Sequence, residues 1–156
     1  MRPRGLISWN LSELALALKI DEKDVREYFT DGRRISFLLE RRLAAEVGGQ
    51  LAPSEGAGFD LIDAQGHKWE VRSISKGGIY FCPSYMVGSG RAFVETGFIE
   101  KLDHIAGFLV SDIEAFPDVP YWEIPHSAVR QWWNQNQLGT TTKVTRGKAL
   151  TLISDL

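Results

Sequence analysis

The stretch Gly58-Phe59-Asp60-Leu61-Ile62-Asp63-Ala64-Gln65-Gly66-His67-Lys68-Trp69-Glu70-Val71-Arg72-Ser73-Ile74-Ser75 decides how the rest of the chain is read. Apolar residues alternate with charged ones on either side of a turn-forming centre, the pattern of two paired strands. Ala64-Gln65-Gly66 suits a three-residue hairpin loop, with Gly66 in the left-handed position. That register sets Asp63 opposite His67, Ile62 opposite Lys68, Leu61 opposite Trp69 and Asp60 opposite Glu70. A two-residue turn at Gln65-Gly66 would send Asp60 and Glu70 to opposite faces, because a one-residue slip inverts every side chain. In the three-residue register the two carboxylates face each other with β-carbons on the order of 5 Å apart, and like charges so placed destabilise a sheet. A divalent cation between them removes the penalty, and oxygen-only donors on a strand pair suit Mg2+. Arg72 follows Glu70 by two residues and so projects from the same face. The alternative is an amphipathic hairpin with a solvated charge cluster. Against it stand the apolar neighbours Phe59, Leu61, Ile62, Trp69, Val71 and Ile74.

Asp60, ten residues to Glu70, then Val71 and Arg72, resembles the motif of the PD-(D/E)xK nuclease superfamily. The short single-domain type II restriction endonucleases look closest, since they also carry a turn glycine between the two acids. The resemblance implies a restriction-endonuclease-like fold, with Asp60 and Glu70 on Mg2+ and DNA phosphodiesters as substrate. A palindromic duplex target would be met by a homodimer. The family places a lysine where this chain has Arg72. Arginine does not deprotonate inside a protein, so a general-base role is closed to it. Stabilising charge on the scissile phosphate stays open. In several such families a helix before the first strand offers a glutamate to the metal. Glu40 stands in that place, and its alternative is a surface acid paired with Arg33, Arg34, Arg41 or Arg42.

Composition sets bounds on this reading. With 156 residues, 44% apolar and 24% charged, the chain has the size and balance of one globular domain. A formal charge of −2 is no nucleic-acid signature, so a DNA enzyme of this balance must gather its cations on one face. The single Cys82 excludes an internal disulfide, and no apolar run has spanning length; a cytoplasmic protein without membrane contact is expected. His67, His104, His126 and Cys82 show no zinc spacing.

The N-terminal residues 1–31 read as a helical cap and 32–156 as the α/β core of a single domain. Residues 1–8 read as loose. Asn10 caps a helix over 11–19, and Asp21 caps another over 22–29. Residues 13–25 resemble a helix-turn-helix, with Lys19 where that motif usually carries glycine. The would-be reading helix holds Asp21, Glu22, Asp24 and Glu27, which phosphates repel. Asp31 caps a long helix over 33–47, closed by Gly48-Gly49. Past the hairpin, Ile79-Tyr80-Phe81 is strand-like within a glycine- and hydroxyl-rich loop. Lys76, Ser84, Ser89 and Arg91 in that loop are candidate DNA contacts. A helix over 93–103 broken near Gly97, strands at 105–110 and 121–124, and a helix from His126 to Trp133 follow. The tail offers Lys143 and Arg146 as further DNA contacts, then a final strand over 149–153. The order supports an α/β fold with a mixed central sheet flanked by helices. Three functions fit: a Mg2+-dependent restriction-type endonuclease, a DNA-binding regulator using residues 11–34, or an inactive nuclease-fold DNA-binding subunit.

Overall fold

A computed structural model describes residues 1–156. It is an α/β fold with a mixed six-stranded sheet, spatial order β1-β7-β6-β4-β3-β2. The strands are β1 (Gly5–Ser8), β2 (Gln50–Leu51), β3 (Leu61–Ile62), β4 (Lys68–Ile74), β6 (Gly107–Asp112) and β7 (Asp118–Pro125). A separate pair, β5 (Ile79–Tyr80) with β8 (Lys143–Val144), lies outside it. The helices are α1 (Leu11–Leu18), α2 (Glu22–Phe29), α3 (Gly32–Glu46), α4 (Glu95–His104), α5 (His126–Asn134) and α6 (Arg146–Ser154). Strands β4 and β6 are parallel, while every other pair in the main sheet is antiparallel. Parallel neighbours need a crossover, and α4 lies in the connection between them.

Both faces of the sheet are covered, so its central strands are apolar in both directions. Trp69, Val71, Leu109, Val119 and Tyr121 join a core with Ile35, Leu39 and Leu43 of α3 and with Ala15 and Val25 of the N-terminal helices. Ile74, Phe108, Val110, Trp122 and Ile124 pack the other way, against Phe98 and Leu102 of α4 and residues of α5 and α6. Neighbours along β4 therefore part company: Val71 belongs to the α3 side, whereas Glu70 and Arg72 alternate with it onto the α4 side. No helix is long and apolar enough to cross a membrane.

The hairpin register holds as read for Leu61 with Trp69 and Ile62 with Lys68. Gly66 takes φ +86°, and the Asp63 N–H donates to the His67 carbonyl. The ladder stops at Leu61, however. The Asp60 N–H donates to Trp69, the residue already opposite Leu61, so Asp60 steps out of register and does not face Glu70 across the pair.

Three other expectations change. Residues 5–8 are an edge strand on β7 and not a loose end. Residues 149–153 are helical, within α6: Thr145 accepts from the Lys148 N–H as its cap, and Ala149, Leu152 and Ile153 bury one helical stripe. The helix over 95–104 runs unbroken through Gly97, where a β-carbon would lie 2.6 Å from Met86 Cε. That glycine serves close packing of the 84–86 turn, and its propensity cost is met by the contact.

Candidate active site

Asp60 lies where β3 has ended, at the edge of β4. Its Oδ2 accepts from the Val71 N–H at 2.7 Å, so the carboxylate satisfies a donor that the short strand leaves open. Glu70 stands beside it on β4, 5% exposed. Two cations hold Glu70. Arg72 Nη2 is 2.9 Å from Oε1, and Lys101 Nζ is 2.5 Å from Oε2. The lysine contact is close but lies off the line of a hydrogen bond, so Oε2 is buried without a directional donor. Lys101 comes from α4 and also donates to the Gly58 carbonyl at 2.6 Å, two residues ahead of Asp60.

Arg72 is held through its two terminal nitrogens, while its buried Nε has no partner. Nη1 donates to the Val71 carbonyl at 2.9 Å and Nη2 to the Cys82 carbonyl at 3.0 Å, and the guanidinium lies 5.1 Å from the Tyr80 ring centre. At 9% exposure it ties β4 to the segment after β5. A guanidinium in this state holds Glu70 and two backbone carbonyls.

Glu40, on α3, approaches from the other side of β4. Burial first, then the Asp60 carboxylate, push its pKa up to about 7, with Arg41 opposing. Burial and Glu70 likewise raise Asp60, against the Val71 N–H and the cations Arg72 and Lys101. Burial and the neighbouring acids therefore disfavour the charged forms of Glu40 and Asp60. The oxygens of Glu40, Asp60 and Glu70 are hard donors of the kind Mg2+ takes, and the buried Oε2 of Glu70, in contact with the Lys101 ammonium but without an aligned hydrogen bond, belongs to this set. By chemistry the residues fit such a cation; as arranged, no three acidic, histidine or cysteine side chains already converge as a cage.

The three acids and Arg72 open into one cleft of about 1040 Å³. Its walls bring together Glu40, Asp60, Glu70 and Arg72 with Lys76, Ser84, Arg91 and Lys143. The small sheet β5–β8 is what does this, since pairing of Tyr80 with Lys143 carries the tail to the loop after the hairpin. Arg33, from the first turn of α3, adds a cation. Two expected contacts fall elsewhere. Ser89 is exposed but outside the walls. Arg146 makes a two-pronged pair with buried Asp112, Nε at 3.0 Å and Nη2 at 2.7 Å, which holds the start of α6 to the end of β6.

Lys101 is the residue that sequence reasoning missed. Lys68 and Lys76, nearer in sequence, take other positions: Lys68 Nζ lies 5.2 Å from the Phe59 ring centre, and Lys76 is exposed on the cleft wall. Lysine at the third helical turn of an amphipathic segment gives no local sign of a buried partner.

Fold and site together define an α/β domain whose acid cluster, contacted by the buried Arg72 and the largely buried Lys101, floors a cleft with walls of both charges. Comparison with known proteins finds a partial likeness for the chain. Over 76 residues it is 33% identical to the cell shape-determining protein MreB of Escherichia coli strain K12 and of Salmonella typhimurium, covering 48% of this chain and 22% of theirs. The chain thus spans about a fifth of the length of these curated relatives. No family model matches the sequence, and no solved structure matches the fold.

Proposed function

We propose that this protein is a Mg2+-dependent DNA endonuclease of restriction type, with a restriction-endonuclease-like core, acting on duplex DNA as a homodimer. The observation that carries the reading is the single cleft that unites Asp60, Glu70, Glu40 and Arg72 with Lys76, Ser84, Arg91 and Lys143. Acids with raised pKa values beside fixed cations, in a cleft, are what metal-assisted hydrolysis uses. Asp60 and Glu70 would hold the metal, with Glu40 as the third carboxylate. The metal, when bound, supplies an activated water and a clamp on the phosphate oxygens. The chain's own part is to hold Glu70 between Arg72 and Lys101 and to bind the backbone of DNA along the walls. No covalent intermediate is required.

A second reading is a DNA-binding subunit of nuclease fold without catalysis. It is favoured by Arg72, whose donors are turned to Val71, Cys82 and Glu70. The regulator reading has weaker support, because α2 turns Glu22, Asp24 and Glu27 to solvent. The test is incubation of mixed duplex substrates, plasmid included, with Mg2+ or with chelator. We expect cutting only with Mg2+, lost in Asp60→Ala while DNA affinity stays level or rises, because negative charge near phosphate is removed. An Asp60→Ala variant that cuts at the wild-type rate sinks the site assignment. DNA binding with no cutting under any divalent cation favours the second reading.

A further inference from the structure

The acid cluster carries a counter-ion of its own. We infer that Lys101 is an internal cation that competes with the divalent metal for Glu70 while positioning the acid pair; this rests on the metal site proposed above.

Four observations lead there. Lys101 Nζ is 2.5 Å from Glu70 Oε2, yet the contact is not directional, so it is held by charge. The same ammonium donates to the Gly58 carbonyl at 2.6 Å, which couples Glu70 to the turn that delivers Asp60. The lysine side chain is only 13% exposed, so solvent screens the pair little. Lys101 does not line the cleft, whereas Glu70 does, so the lysine meets the carboxylate from behind.

The consequence follows from electrostatics. Without metal, Glu70 with Arg72 and Lys101 forms a buried anion with two cations, and Asp60 and Glu40 stand beside it as further acids. A divalent cation at the cluster meets repulsion from Lys101 as well as attraction from the acids. Removing the lysine charge should strengthen cation binding. It should also free Glu70 and the Gly58 turn, which lowers turnover. These effects have opposite signs. A lysine that merely supported the fold would weaken both.

Lys101 is thus a positioning residue, and the test separates its role from that of the site. Mn2+ is titrated calorimetrically into the whole protein without DNA, for wild type, Asp60→Asn and Lys101→Met. We expect Asp60→Asn to abolish the binding and Lys101→Met to tighten it by about tenfold, the scale on which one close charge shifts a neighbouring carboxylate's affinity for a cation. In Mg2+, kcat of Lys101→Met for duplex cleavage should fall with KM little changed, since the lysine does not face the DNA. Lys101→Arg should restore affinity and rate together. Lys101→Gln, which keeps a donor for the Gly58 carbonyl, serves as the second variant with the same expected tightening if Lys101→Met does not fold. Loss of Mn2+ binding in Asp60→Asn together with unchanged or weaker binding in the Lys101 variants overturns the competition. Unaltered Mn2+ binding in Asp60→Asn overturns the site itself, and the role of Lys101 with it.

Discussion

At the residue scale, one acid of the hairpin, Asp63, serves the turn and not the cleft. Asp63 accepts from the N–H groups of Gln65 and His67 at 2.9 Å, from Trp69 Nε1 at 2.9 Å, and pairs with His67 Nδ1 at 3.1 Å. Although burial works against it, these partners hold its carboxyl below the usual range. Its contribution is present above the unfolded pKa and is lost as pH falls through the depressed folded value. We expect Asp63→Ala to cost about 1–3 kcal/mol, the penalty for stranding such donors, measured by urea melts at neutral pH. A loss under a few tenths would show that the turn does not need it. Glu40 has the opposite sign. Its folded pKa of about 7 exceeds its ordinary value of 4.5, so its protonated form stabilises the fold below about 4.5 and that stability is lost as pH rises through about 7. Metal-free wild type should therefore lose thermal stability across this window relative to Glu40→Gln, with parallel pH profiles as the contrary outcome.

At the scale of elements, Arg72 joins β4 to the segment after β5, and this sets how its substitution is read. Removing the guanidinium would leave the Cys82 carbonyl and part of Glu70 unpaired in a buried place, and breaking a buried pair costs about 3–5 kcal/mol. We expect Arg72→Ala to lower the urea midpoint strongly before any effect on catalysis is read, so its activity must be compared below its own melting range. An Arg72→Ala protein as stable as wild type would show that β5 is held by other contacts. The sequence made some elements plain and hid others. Gly66, with strict alternation around it, marked the hairpin and its register as far as Leu61. The step at Asp60 was hidden, because it depends on a strand only two residues long ending beside Val71. The strand β1 buries just Ile7 among four residues, too little for any period to appear. The helical stripe Ala149, Leu152, Ile153 and its Thr145 cap were present in the sequence, but the preceding run of threonines reads as strand. Lys101 meets Glu70 through a crossover helix, and such a contact has no local period at all.

At the scale of the molecule, a chain of net charge −2 must bind DNA, on the proposed reading, through one cleft whose own charges nearly cancel. Arg33, Arg72, Lys76, Arg91 and Lys143 line it together with Glu27, Asp31, Glu40, Asp60, Glu70 and Glu114. The cations that reach solvent sit on the walls, while Glu40, Asp60 and Glu70 lie further in. Duplex binding should accordingly be weak in chelator and stronger with Ca2+, which supplies positive charge at the acid cluster without the fit of Mg2+. Within the strong-binding condition, each wall cation that touches a phosphate releases counter-ions, so its neutralisation should flatten the slope of log affinity against log salt by ~0.9. We expect this for Lys76→Gln, Arg91→Gln and Lys143→Gln. Arg146→Gln supplies the internal contrast. Its guanidinium is paired with Asp112, so its loss should lower thermal stability and leave the slope near the wild-type value. If the slope instead falls for Arg146→Gln and stays fixed for the three wall variants, DNA lies along the α6 end and the cleft serves another ligand. If none of the four moves it, the duplex contacts lie outside both places, and the acid cluster would have to act on something smaller than DNA.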